Sequence, residues 1–495
     1  MAKIPISIAN GFYESRSLPW SAQRCINWYP SYAENEALSE AVIFGTPGIQ
    51  SLTTVANNQS NRGVHVVAEI PYFVNGSTLY RLDRTVDPNS NESFSAVAVG
   101  GIGGAPPISI LGSNFVSMDD NGTQLCIVAP GIAGYIYNRE TDELVQITDP
   151  GFTANGKSER VVVLDGFFTH IAGKNIFHSE VNDGLSYNAL DVGQAQADPD
   201  LIVSMINYKN QLFVLGRETI EVFANIGKFP FTYQRIPGYF VPLGCFAPFS
   251  VTKFDQAFAF LGGATNERPG VFWGAAQTFR RISTTPIEQK IQTASSEEIE
   301  KAFTWEYSES GAIFLGLVIG NFCFVYDSNA SRLAQRSIWH ERTSTITELT
   351  NNEFRWRVNA VAKAYDRILV ADSQDGRIGS ISLDVFDEYG AFIQRRLTTR
   401  PLASNDSLFV DEIELTTESG VTTVPDNVIQ MRYSVDNKIF NNPIPALIGT
   451  TGQYTLRQYW RRLGRMERWV TFEWQYSGRD KSVLLKAEVT GDVAS

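Results

Sequence analysis

One pattern constrains this chain more than any other: short strands recur in groups of four, with turns too tight for anything but antiparallel neighbours. It is plainest from Leu201 to Phe223, where three apolar runs are separated by Lys209-Asn210 and by Gly216-Arg217-Glu218. Each run has the length and the Val, Ile, Leu and Phe content of a strand. Gaps this short force a meander, and Thr232–Ile236 supplies a fourth strand. A four-stranded meander that recurs along a chain is the blade of a propeller.

Comparable units begin near Gly63, Ile108, Arg160, Leu201, Pro248 and Lys301, a spacing of roughly 40–50 residues, which is the propeller period. Asn75-Gly76, Asp120-Asn121-Gly122 and Asp165-Gly166 mark hairpin turns within them. The strands of Val358–Leu383 are expected to close the ring onto the first unit. Helix signal is scarce; Ser295-Ser296-Glu297-Glu298 reads as a capping box between the fifth and sixth units. From about Phe386 the strands lengthen and alternate, as in Phe409–Leu415 and Val428–Ser434. The expected fold is therefore all-β: an N-terminal arm (1–61), a six-bladed β-propeller-like body (62–385) and a C-terminal antiparallel β domain (386–495).

Charge narrows the function. The formal net charge of −12 is the wrong sign for gripping nucleic acid through its phosphates. Residues 386–495 balance 13 basic against 14 acidic side chains, so the acidity belongs to the first 385 residues. The most apolar run, Ala312–Tyr326, is broken by Gly316 and Gly320 and is too short to span a membrane. The N-terminus shows no secretory h-region. Cys25, Cys126, Cys245 and Cys323 lie far apart, which fits buried thiols rather than a zinc site.

Catalytic signatures are missing: no H-E-x-x-H, no G-x-S-x-G and no Walker loop. His170 and His178 fall on adjacent expected strands and invite a metal reading, but ordinary strand histidines account for them. Asp119-Asp120-Asn121-Gly122 and Asp372–Gly376 lack the spacing of an EF-hand and read as turns. No catalytic residue, metal or cofactor is expected. Arg457, Arg461, Arg462, Arg465 and Arg468 crowd into twelve residues, interleaved with Tyr459, Trp460 and Trp469. They suit either pairing with acids of their own domain or an interface with a neighbouring subunit.

Three further stretches carry a family likeness. Arg24-Cys25-Ile26-Asn27-Trp28-Tyr29-Pro30, followed by Thr46-Pro47-Gly48, resembles the opening of the tail-hub or nozzle proteins of short-tailed bacteriophages, also called packaged DNA stabilisation proteins. Glu218-Thr219-Ile220-Glu221 is similar to that family's central strand, and Trp460-Arg461-Arg462-Leu463-Gly464 to its C-terminal signature. The resemblance implies a structural virion subunit, assembled in the host cytoplasm, six copies forming a ring that continues the portal–adaptor channel. It implies a head–tail adaptor above, tail fibre or spike and needle or plug proteins as neighbours, and duplex DNA in transit without sequence-specific binding. Acidic loops would then face the bore and the arginine cluster would face protein. The competing expectation is a propeller-type carbohydrate-binding or glycan-processing protein, which needs paired carboxylates at a propeller mouth.

Overall fold

The computed structural model describes residues 2–101, 106–195, 201–264, 267–345, 353–403, 407–422, 424–425 and 427–494. Seven small antiparallel sheets follow one another around an axis. Blades one to four are simple meanders within 61–98, 117–146, 160–194 and 202–241. Blade five lies within 244–281, and blade six is built on Phe303–Glu309, Ala312–Ile319, Phe322–Asp327 and Trp339–Glu341. Two short helices, Thr285–Thr293 and Ser296–Glu300, join them, and the second carries the Ser295/Glu298 capping box.

The propeller class holds, but the expected six blades become seven. The strands Val358–Ala364, Arg367–Asp372 and Arg377–Ser382 do not add to the first unit. They form a blade of their own, whose fourth strand is Gly48–Thr54. Sequence periodicity reports local hairpins; this pairing joins residues some 330 positions apart and leaves no local trace. It also closes the ring, because the last blade is completed by a strand that precedes the first.

Adjacent innermost strands are tied by side-chain bonds. The Ser117 hydroxyl accepts from Val161 N at 3.1 Å, Asn207 Nδ2 donates to Val163 O at 2.9 Å, and Ser204 Oγ donates to Pro248 O at 2.9 Å. Asn359 Nδ2 donates to Asn61 O at 3.0 Å, linking blade seven to blade one. Apolar clusters fill each gap between blades, such as Phe213, Val222, Phe258 and Phe260 between blades four and five.

The C-terminal residues form a two-sheet sandwich. One sheet has the strand order Trp28–Tyr32, Ala41–Gly45, Val483–Ala494, Ser407–Thr417, Gln458–Met466, with Ala2–Ile6 also on Val483–Ala494. The other contains Arg395–Thr398, Trp469–Tyr476, Val428–Ser434 and Ile444–Leu447. Their shared core holds Trp28, Ile43, Ile413, Met431, Phe472 and Trp474. The second sheet does not stop at the sandwich: Ala22–Ile26 bridges Arg395–Thr398 to Trp339–Glu341, so nine strands run in one order from blade six into the sandwich, and two short side strands make the sheet eleven-stranded.

Candidate functional site at the propeller–sandwich seam

The N-terminal motif residues converge where blades six and seven meet the sandwich. Asn27 is the knot. It sits at φ +55°, a left-handed conformation that asparagine tolerates. Its Nδ2 donates to Gln394 O at 2.7 Å and Thr343 O at 3.0 Å; its Oδ1 accepts from Thr343 N at 3.0 Å. Its carbonyl accepts from both Thr46 N and Thr46 Oγ1. One buried residue, through its side chain and its carbonyl, thus stitches the blade six–seven link, the sandwich and the 46–48 turn together.

The neighbours extend the knot. Arg24 makes a bidentate pair with Glu341, at 3.0 and 2.8 Å. Tyr29 packs against Phe44, Phe314 and His340, and burial raises its phenol pKa. Pro30 is buried in the same strand. The Pro47 carbonyl accepts from the fully buried Arg342 at 2.9 Å, whose guanidinium also lies 3.8 Å from the Trp356 ring centroid. Gly48 donates to Val385 O at 2.7 Å, and a Cβ there would lie 2.3 Å from Asp387 O. Glu388 accepts from Trp356 Nε1 at 2.8 Å and Ser344 Oγ at 2.6 Å; burial raises its pKa, and Arg342 opposes the shift. Arg395 is fully buried on the sandwich side, where burial lowers its pKa to about 10. Burial likewise pushes His340 down to about 3 and Asp327 up to about 6.

Glu218, Thr219, Ile220 and Glu221 lie elsewhere, in blade four. Glu218 is exposed beside the turn closed by Gly216 N to Thr219 O, Ile220 is fully buried, and buried Glu221 meets Arg235 Nε at 3.0 Å. Trp460 is buried in the sandwich and donates to Ile444 O at 2.8 Å. Gln458–Met466 is an edge strand with a bulge: Glu412 opposes Arg461, Val410 opposes Gly464, and Arg462 and Gly464 take positive φ. Arg457 and Arg461 pair with Glu414 and Glu412, each at 2.6 Å. Arg457 and Lys3 hold the Glu414 carboxyl down to about 2. Arg465 meets Glu467 at 3.2 Å, Arg468 stacks on Trp469, and Arg462 is exposed.

Three phenyl rings narrow the middle of the propeller. Phe115, from the segment leading into blade two, meets Phe249 of blade five and Phe303 of blade six there, 4.7 Å from Phe303 and 5.5 Å from Phe249. Arg160 and Arg355 cap these rings, and burial lowers Arg160 to about 10. A cavity of about 290 Å³ is left alongside.

His170 and His178 do not form a metal pair: His170 bonds Ser158 and Tyr187, while His178 bonds Ser179 O. The structure instead gathers His65, Asp119 and Asp120, which sequence reasoning did not link because two blades supply them. His65 Nε2 lies 2.7 Å from Asp120 Oδ2, and Asp119 Oδ2 accepts from Val163 N at 2.6 Å, so the group ties blades one, two and three together. Asp372 is taken up by Arg357 and by the turn amide of Gln374. All four cysteines are free and buried.

Comparison with known proteins accords with this architecture. The family model described as Bacteriophage P22 Gp10, beta-propeller, matches residues 2–386, and the one described as Bacteriophage P22 Gp10, beta-sandwich, matches residues 394–492. The chain belongs to the P22 Gp10 family of phage tail hub and DNA stabilisation proteins, a structural and non-enzymatic family of the virion tail. A curated relative, the tail hub protein gp10 of Salmonella phage P22, is 21% identical over 285 residues, 57% of this chain and 58% of that protein. The match thus spans little more than half of the relative. Among solved structures, the N-terminal domain of Nup159 is similar over 70% of this chain and 97% of its own, at 12% identity and TM-score 0.39. The WD40 propeller domain of Doa1 covers 68% and 98%, at 13% identity and TM-score 0.37. Likenesses this slight say nothing about function.

Proposed function

We propose that this protein is the subunit of a hexameric tail nozzle that continues the portal–adaptor channel, retains packaged DNA and conducts it at ejection. The observation that carries this reading is the match to both Gp10 family models, in order, across nearly the whole chain. The narrow propeller axis supports it. Duplex DNA, whose major groove alone is about 12 Å wide, cannot pass a hole filled by Phe115, Phe249 and Phe303. Any conduit must then lie between subunits, which calls for several copies. An overall charge of −12 suits a wall that duplex slides past, since phosphate contacts would add affinity and drag.

The test is assembly. Purified portal–adaptor complex incubated with this chain should gain a six-fold ring at the adaptor's distal end, counted by electron microscopy. Heads carrying that ring should keep their DNA under conditions in which bare heads lose it. A chain that leaves the complex unchanged overturns the proposal.

A further inference from the structure

The outer sheet of the sandwich ends in edges of opposite charge. At one end of its strand order stands the Trp28–Tyr32/Ala41–Gly45 hairpin. Its tip bears Glu34, Glu36 and Glu40, all exposed and without an ion-pair partner among the described residues, with Leu38 72% exposed between them. At the other end stands Gln458–Met466 with the arginine cluster. Four inter-strand spacings separate the two edges, about 19 Å.

The basic edge is only partly neutralised. Glu412 and Glu414 occupy Arg461 and Arg457, and Glu467 occupies Arg465. Arg462 is turned outward by the bulge, with no ion-pair partner among the described residues, and Arg468 offers its guanidinium above Trp469. Tyr459, 42% exposed and under the Arg461 guanidinium, gives this edge an apolar spot to match Leu38. Opposite charge at opposite ends of one sheet suits a head-to-tail contact between identical copies, and such contacts close into rings.

We propose that the Glu34–Glu40 hairpin tip of one copy docks on the Arg462/Arg468 edge of the next, with a second copy of this chain as the occupant of both surfaces. The inference rests on the ring reading above and specifies which surfaces make the ring. It also accounts for an edge strand left uncovered in the single chain.

Reversal of charge tests it with the full chain on portal–adaptor complex at low salt. E34K/E36K/E40K and R462E/R468E should each lower ring occupancy at least tenfold, while melting temperatures stay within a few degrees of wild type. The variant carrying all five changes should recover occupancy to within about threefold of wild type, because the reversed surfaces again match. Recovery identifies hairpin and edge as each other's partner. If either set alone assembles like wild type, or the combined variant fails to recover, the inference falls; an adaptor-facing hairpin gives the second result. Wild-type chain that forms no ring at all is a failure of the functional reading, and is told apart by that control.

Discussion

At the scale of the residue, Asn27 concentrates more structure than any neighbour in its motif. Its amide satisfies partners from two segments, and its backbone carbonyl holds a third while keeping a left-handed turn. Asn27→Ala removes the bonds, leaves buried groups unpaired and strains the turn, and should cost about 3–5 kcal/mol. Asn27→Gly keeps the turn conformation open and should cost about 1 kcal/mol less. Urea unfolding at pH 7 measures both; an alanine variant within 1 kcal/mol of wild type would refute the knot.

At the scale of the element, Gly48–Thr54 decides whether the propeller is closed. It pairs along Arg377–Ser382 and buries Ile49 completely. Amide hydrogen exchange should find residues 48–54 as protected as 377–382, opening only with the whole domain; exchange at loop rates would mean a detachable arm. This element also marks where legibility ended. Blades one to four could be read from alternation and turn residues because each is one continuous hairpin run. Blade seven could not, because its fourth strand is supplied from the other end of the sequence. The same limit applies at the seam. Family likeness singled out Arg24, Asn27, Tyr29 and Gly48, but Arg24 and Asn27 bond partners more than 300 residues away, as with Glu341 and Thr343. Arg342, Glu388 and Arg395 went unnoticed for that reason: isolated charges in a sequence look like surface. The arginine cluster was legible as a cluster, but its partners Glu412 and Glu414 were not, because the register that sets Phe409–Leu415 beside Gln458–Met466 joins segments more than 40 residues apart.

At the scale of the whole molecule, acid stability should follow the buried imidazoles. His340 is completely desolvated and its pKa falls from 6.5 to about 3. The unfolded chain therefore binds the extra proton first. The stability from keeping this ring neutral is fully present above pH 6.5 and is lost as pH drops toward 3. Asp327, raised to about 6 by burial, acts in the other direction, since its protonation between pH 6 and 4 relieves a buried charge. Comparing wild type with His340→Asn isolates the histidine. Between pH 6.5 and 5 the wild type should lose about 1.6 kcal/mol more than the variant, read from urea midpoints; parallel pH profiles would refute the assignment.

The eleven-stranded sheet has a mechanical meaning. Because blade six continues through Ala22–Ile26 into the sandwich, the two lobes share a hydrogen-bonded ladder instead of a tether. In the nozzle proposed above, thrust from a pressurised genome on one lobe would pass to the other as shear across that ladder. A ring built from such subunits would widen by their leaning apart together, as the staves of a barrel do.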